Sequence, residues 1–531
     1  MGKFSFKSLM AAFAVAVFVW CVSCCEVCNA REVTDRRSAA IDNSTRGSSL
    51  WMWRGRWRIP HFPLPPFPFY RPWPYLPPPP PRHGPPKQIP PPTPTVDPTL
   101  RPPVSVPPVA EPRPLVPSNS TTFNVLDFGA KGDGNTDDSK AFQDAWAASC
   151  NVEASTMVVP ANHVFLVGPI SFVGEHCQEN IILQLDGTVV APTDPQAWGG
   201  EHWLHFDKLS RFTLQGSGTV DGRGSVWWRR SQSEDLNDDL LDVDNDADDG
   251  MDFEDADTQA KEELSSMPRN KPTAMRFDHC LNVTFSGIKI QNSPNFHLTF
   301  DHCVGVLVRD MSISSPGDSP NTDGIHLGNS QDVTIHDAIL ACGDDCISIV
   351  SGCSDIRIHD VHCGPGHGIS IGSLGKDHSK ACVHNITVED VDLQGTTNGV
   401  RIKSWQSGSV YGVKFSNIRV SEVRWPIIID QYYCDHATCT NQSSAVAVRD
   451  VAGTYTERPV DLACSDSVPC EEITLSAIDL RPSSQKPPSH DDGPFCWQTF
   501  GQLTTPISLP IDCVQIGRRS SNGIGSGQDS C

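Results

Sequence analysis

The sequence predicts an all-β fold, a right-handed parallel β-helix (solenoid), on three observations. Short β-branched segments recur at a nearly constant period. Val283-Thr284-Phe285, Val306-Leu307-Val308, Val333-Thr334-Ile335, Ile356-Arg357-Ile358, Ile386-Thr387-Val388 and Val413-Lys414-Phe415 start 23, 27, 23, 30 and 27 positions apart, and Ile473-Thr474-Leu475 follows. Each is trailed by a second apolar alternation, such as Ile288-Lys289-Ile290 or Ile347-Ser348-Ile349. Helical patterns of useful length are nearly absent, the best running from Asp138 to Ala148. Strands of three or four residues at such a period, with Gly, Asn and Asp at the corners, mark a solenoid whose coils bury a shared core. Leucine-rich repeats would need a Leu spacing that this chain lacks.

Residues 1–30 place Lys3 and Lys7 ahead of an apolar run from Leu9 to Val22 and end in Cys28-Asn29-Ala30, the pattern of a secretory signal peptide. The run is shorter than the ~20 residues of a spanning helix, so no membrane association is expected after the leader is removed. Residues 31–120 are expected to form a disordered Pro-rich arm or propeptide, because stretches such as Leu76 to Pro81 and Pro90 to Pro94 favour polyproline II. Within it, Trp51, Trp53, Trp57, Phe67, Tyr70 and Trp73 alternate with Arg54, Arg56, Arg58 and Arg71, which suits contact with a polyanionic sugar chain.

The β-helix domain is expected over 121–531, interrupted by a disordered acidic insert at about 229–267. From Glu234 to Glu263 about fifteen carboxylates face the single Lys261, and so dense a like-charge run repels itself and stays solvated. That insert carries most of the net charge of −22, so the total says little about any functional surface. A calcium-loop register fails there, because placing Gly250 at the turn puts Asn245 and Ala247 at ligand positions. Four cysteines lie in the leader, leaving sixteen of the twenty for the rest, an even number that suits a secreted disulfide protein. Sequons at Asn43, Asn119, Asn282, Asn385 and Asn441 agree with that route.

Four polar clusters follow in order: Asn321-Thr322-Asp323, Gly343-Asp344-Asp345, Gly366-His367-Gly368 and Arg401-Ile402-Lys403. Each alone is weak, since Asp beside Gly usually marks a turn. Their separations of 22, 23 and 35 positions are close to one coil each, so they should line one cleft. In the alternation Val400-Arg401-Ile402-Lys403 a strand points both cations outward and both aliphatic residues into the core. Gly343 suggests a corner that turns Asp344 and Asp345 together toward the cleft. Three carboxylates, an imidazole and two cations are the equipment for cleaving glycosidic bonds of an acidic polysaccharide; a corner ladder of Asp and Asn that merely stabilises coils is the alternative.

These stretches, with Phe123-Asn124-Val125 through Gly129-Ala130-Lys131-Gly132-Asp133-Gly134, Asp221-Gly222-Arg223-Gly224 and Ile429-Asp430-Gln431-Tyr432-Tyr433-Cys434, resemble glycoside hydrolase family 28, and within it the plant polygalacturonases. The resemblance covers essentially 121–515. It implies a secreted cell-wall enzyme that hydrolyses α-1,4 linkages of polygalacturonan by an inverting acid/base mechanism, with pectin as its partner and no metal or organic cofactor. A monomer without nucleic-acid partners is expected. By the same resemblance Asp344 is the acid and Asp323 with Asp345 the base pair. His367 tunes protonation, Arg401 and Lys403 bind uronate carboxylates, Asn321 and Tyr433 seat the sugar, and Cys346 and Cys363 form a disulfide. Crowding of three carboxylates is expected to keep Asp344 protonated. The competing readings are a rhamnogalacturonan hydrolase, which would need fewer cations, a pectate lyase, which would want calcium ligands, and a non-catalytic pectin-binding wall protein.

Overall fold

The computed structural model describes residues 121–198, 202–228, 270–375, 381–404, 408–433, 443–466, 468–484 and 493–517. The expected signal peptide, Pro-rich arm and acidic insert, and the sequons at Asn43, Asn119 and Asn441, lie outside the described residues. Among the described residues no helix is long and apolar enough to cross a membrane.

The chain winds as a parallel β-helix. One sheet of eleven strands takes one strand from each coil in chain order, from Ile170–Val173, His202–Asp207 and Thr273–Asp278 through Leu298–Asp301, Ile325–Gly328, Ile347–Ile349, Ile369–Leu374, Asn398–Ser404, Trp425–Asp430 and Val460–Ala463 to Phe495–Trp497. Every neighbouring pair is parallel. The opposing strands form a second sheet of nineteen, also paired in parallel. Parallel strands covered on their inner faces read as apolar rows. One such row starts with Phe172, Phe206, Phe277 and Phe300, whose rings stack at centroid distances of 4.8, 4.5 and 5.0 Å. It continues in register through Leu327, Ile349, Ile371, Ile402 and Ile429.

The expectation of strands of three or four residues is corrected on the second sheet, where Val304–Ser314 has 11 residues and Gly408–Val423 has 16. The two apolar alternations of a coil share one strand there, bent between them at a left-handed residue: Asp310, Asp337, Asp360, Asp390, Asn417 and Asp450 all have φ between 51° and 57°, and each of these strands holds a further positive-φ residue, such as Gly305, Asp332, Asp355, Asn385, Gly412 or Gly453. Asp and Asn tolerate that conformation, so the corner residues of the sequence become a hinge row instead of strand ends. The helix expected at Asp138 to Ala148 is Ser139–Cys150. It buries Phe142 and Trp146, and Trp146 meets Phe172 and Phe212 edge-on, closing the N-terminal end of the core.

Disulfides join Cys150 to Cys177, Cys346 to Cys363, Cys464 to Cys470 and Cys496 to Cys513. Cys280, Cys303, Cys342 and Cys353 are buried free thiols. The even cysteine count therefore does not translate into complete pairing. Asn282 and Asn385 are exposed and sit at left-handed corners.

Candidate active site

Each cluster precedes or occupies a strand of the eleven-stranded sheet. Asp323 lies two residues before Ile325–Gly328, Asp345 two before Ile347–Ile349, and His367 two before Ile369–Leu374. The pairing of Ile325 with Ile347, and of Ile347 with Ile369, therefore stacks the three on consecutive rungs, about 4.8 Å apart. Arg401 and Lys403 follow on Asn398–Ser404, alternating with Val400 and Ile402, which are buried in the core.

The corners that aim these groups are built by close backbone packing. The Gly343 N–H donates to Thr322 Oγ1 at 2.9 Å, while Thr322 itself is tied to Ser319. A Cβ at Gly343 would lie 1.9 Å from the Ser319 carbonyl oxygen, so only glycine lets the two coils approach this closely. Asn321 sits before Asp323 on this corner, exposed and left-handed at φ 56°. The Asp323 carbonyl accepts from His297 Nδ1 at 2.8 Å, which leaves His297 Nε2 to accept from Ser315 at 2.7 Å.

Asp344 and Asp345 occupy different environments. Asp345 is 2% exposed, and its Oδ1 accepts from Arg401 Nη2 at 2.7 Å and from the Ser370 hydroxyl at 2.7 Å. Its Oδ2 accepts from Lys403 Nζ at 3.1 Å. Asp344 remains partly exposed and accepts from its neighbour's backbone N–H at 2.8 Å, while His367 Nδ1 approaches the same Oδ1 at 2.9 Å. The corner thus brings both carboxylates into the site but turns Asp345 beneath the cations. Lys403 also lies 5.0 Å from the Tyr433 ring centroid.

Electrostatics reverse one expectation. Burial pushes Asp344 upward, but the His367 hydrogen bond and the charges of His367, Lys403 and Arg401 outweigh it, holding the carboxyl below its usual range. Crowding does not keep Asp344 protonated. Asp323 is the group held high, first by burial and further by the charges of Asp344 and Asp345, which outweigh its contacts with His326.

Three residues that the sequence analysis did not single out complete the network. Ser348 donates to Asp323 Oδ2 at 2.7 Å and meets His326 Nδ1 at 2.7 Å, while Ser370 accepts from Arg401 Nε at 2.9 Å. His326, Ser348, Ser370 and Arg401 form one outward row of the sheet. The coil register was the signal that could have found them, since each sits one residue after an inward Ile. Asp344, Asp345 and His367 offer ligand atoms within 4.8 Å of one another, a spacing a metal could use. Both Asp345 oxygens already face Arg401 or Lys403, and two adjacent cations oppose a metal ion there.

The family model described as Glycosyl hydrolases family 28 matches residues 150–244 and 243–490. A second, Rhamnogalacturonase A/epimerase, pectate lyase-like, matches 122–175. A probable polygalacturonase of Arabidopsis thaliana is 38% identical over 79% of this chain and 91% of its own length. A polygalacturonase of Chamaecyparis obtusa is 40% identical over 70% of this chain and 69% of its own length. In structure, an exopolygalacturonase from Thermotoga maritima aligns with a TM-score of 0.55 at 22% identity, over 68% of this chain and 89% of that one. A polygalacturonase from Erwinia carotovora aligns with a TM-score of 0.53 at 23% identity, over 73% of this chain and 98% of that one. At that identity the two structures speak for the fold alone.

Proposed function

The chain belongs to the glycosyl hydrolases family 28, and on that footing we propose that it hydrolyses α-1,4-galacturonosidic bonds of polygalacturonan by an inverting acid/base mechanism, as a secreted protein of the cell wall. The observation that carries this reading is the outward pair Arg401 and Lys403 set two coils after Asp344 and Asp345. Cations at the floor of a carboxylate-bearing cleft suit a substrate that is itself a polyanion.

Inversion needs one carboxyl protonated beside the leaving oxygen and one charged group that activates a water across the ring. Asp344 is the acid, because it is the most accessible of the three carboxyls. The Arg401 and Lys403 charges help hold its proton off. A uronate carboxylate bound over those cations offsets their charge and excludes water, so burial, already the largest influence on Asp344, then favours its protonated form. Asp323 and Asp345 hold the attacking water, with Ser348 and Ser370 fixing their orientation. His367 positions Asp344 by its hydrogen bond. Asn321 and Tyr433, at the two ends of the cluster, seat the sugar. The leader at 1–30 and the disulfides support secretion.

The test is to incubate the purified protein with polygalacturonate, following reducing ends, the absorbance of unsaturated product, and the anomeric configuration of the fresh reducing end by NMR. Hydrolysis with inversion gives reducing ends of inverted configuration without the unsaturated chromophore. Unsaturated product would establish a lyase, and retained configuration would overturn the mechanism.

A further inference from the structure

The cleft changes character three coils beyond the cations. Register carries Arg401 to Ile428, Asp461 and then Phe495 along one outward row, and Lys403 to Asp430, Ala463 and then Trp497 along the next. No cation stands in either row past Lys403. The rows end in two exposed aromatic rings, Phe495 at 40% and Trp497 at 49%, about 14 Å from Arg401 and Lys403 at the usual rung spacing.

The two rings are held by specific partners. The Trp497 Nε1–H donates to Asp466 Oδ1 at 3.1 Å, and Gln498 Nε2 donates to the same oxygen at 2.8 Å. The Arg458 guanidinium lies 5.4 Å from the Phe495 ring centroid while donating to Asp461 Oδ2 at 2.9 Å. The surrounding charge is acidic: Asp430 is held above its usual range by burial, with the Asp461 charge adding to it.

Resting on the polygalacturonase reading, we propose that Phe495 and Trp497 form a distal platform for galacturonate residues whose carboxyl is methyl-esterified. A chain lying over Arg401 and Lys403 continues along the same two rows onto the platform, so the occupant is the substrate itself. Near the cations a free carboxylate gains charge-assisted hydrogen bonds. Asp461 is offset by Arg458, but over Asp430 and Asp466 a free carboxylate is repelled, whereas an ester carries no charge. Its methyl group and the apolar face of the pyranose pack against the two rings, as aromatic side chains with one fixed polar handle allow. The cleft therefore reads a pattern: a free acid at the reacting centre and an ester a few rings away.

The experiment compares the full-length protein with Trp497→Ala and Trp497→Phe on polygalacturonate and on pectin of intermediate methyl-esterification, reading kcat/KM from reducing ends. The ratio of kcat/KM on esterified pectin to that on polygalacturonate is expected to fall about 5-fold in Trp497→Ala, the size of one stacking contact, and to be largely restored in Trp497→Phe. A ratio that stays constant or rises in Trp497→Ala overturns the platform. Should the wild-type protein cleave neither polymer, the hydrolase reading falls, and affinity electrophoresis in gels carrying esterified pectin decides the platform separately. Retardation of wild type that is lost in Trp497→Ala supports it, and equal mobility of the two proteins overturns it.

Discussion

Arg401 donates to Asp345 at 2.7 Å across 56 positions of sequence, and both side chains are largely withdrawn from water. The pair spans two coils, so it ties the rung that follows Gly343 to the rung that bears Arg401 and Lys403. A charge this buried is tolerable only with its partners in place. Removing one partner therefore exposes the cost of the other.

Arg401→Met is expected to destabilise the fold by about 3 kcal/mol, because Asp345 is left with Lys403 and Ser370 alone. The double variant Arg401→Met with Asp345→Asn should recover part of that loss. Chemical denaturation of the four proteins of the cycle measures the coupling, and additive losses would show that the two side chains act independently.

The site was legible to the extent that it depends on coil register. The alternation Val400 to Lys403 is enough to place the cations outward, and the spacing of the four clusters is enough to stack them. What sequence could not supply is how two consecutive carboxylates divide. Asp345 turns under Arg401 and Lys403, Asp344 turns to His367, and the resulting fields invert the expected protonation. Ser348 and Ser370 stayed invisible because a small polar residue at an outward strand position is common, and only the folded chain shows both buried and bonded to Asp323 and Asp345.

Asp344→Asn should lower kcat by about 10²- to 10⁴-fold with little change in thermal stability, as expected when a general acid is lost from an otherwise intact cleft. The KM for polygalacturonate should change little, since Arg401 and Lys403 remain. A variant with near wild-type kcat would move the acid to another group.

The proposed effect of substrate on Asp344 has its own signature. The alkaline limb of kcat/KM reports the acid in the free enzyme, where Asp344 is held low, and that of kcat reports the bound state, where its cations are offset. The kcat limb should therefore lie at higher pH. Coincident limbs would mean that substrate leaves the Asp344 proton affinity unchanged.

Complete burial pushes His297 down to about 4, against about 6.5 for an unfolded imidazole. As pH falls below 6.5 the unfolded chain takes up a proton that the folded chain refuses until about pH 4, so stability is lost across that window and is flat above it. The loss is on the order of 3 kcal/mol. His297→Gln should be less stable at pH 7 but should show a shallower decline in melting temperature between pH 6.5 and 4. Parallel declines would assign the acid sensitivity elsewhere.

Gly343→Ala tests whether close coil approach is what positions the carboxylates. Its Cβ would meet the Ser319 carbonyl oxygen at 1.9 Å, and backbone on both sides leaves nothing flexible to yield. The coils must part there, which breaks the Gly343 N–H bond to Thr322 and shifts Asp344 and Asp345 relative to Asp323. A misplacement on the order of 1 Å at a reacting group can cost about 10²-fold in rate. The Cys346–Cys363 disulfide and the long strand Gln331–Ala341 hold the rest of that coil. The variant is therefore expected to fold, with circular dichroism unchanged, and to lose kcat far more than it loses melting temperature. If kcat survives while stability falls, the corner is structural only, and the alignment of the carboxylates must come from the ion pairs of Asp345 and the His367 contact instead.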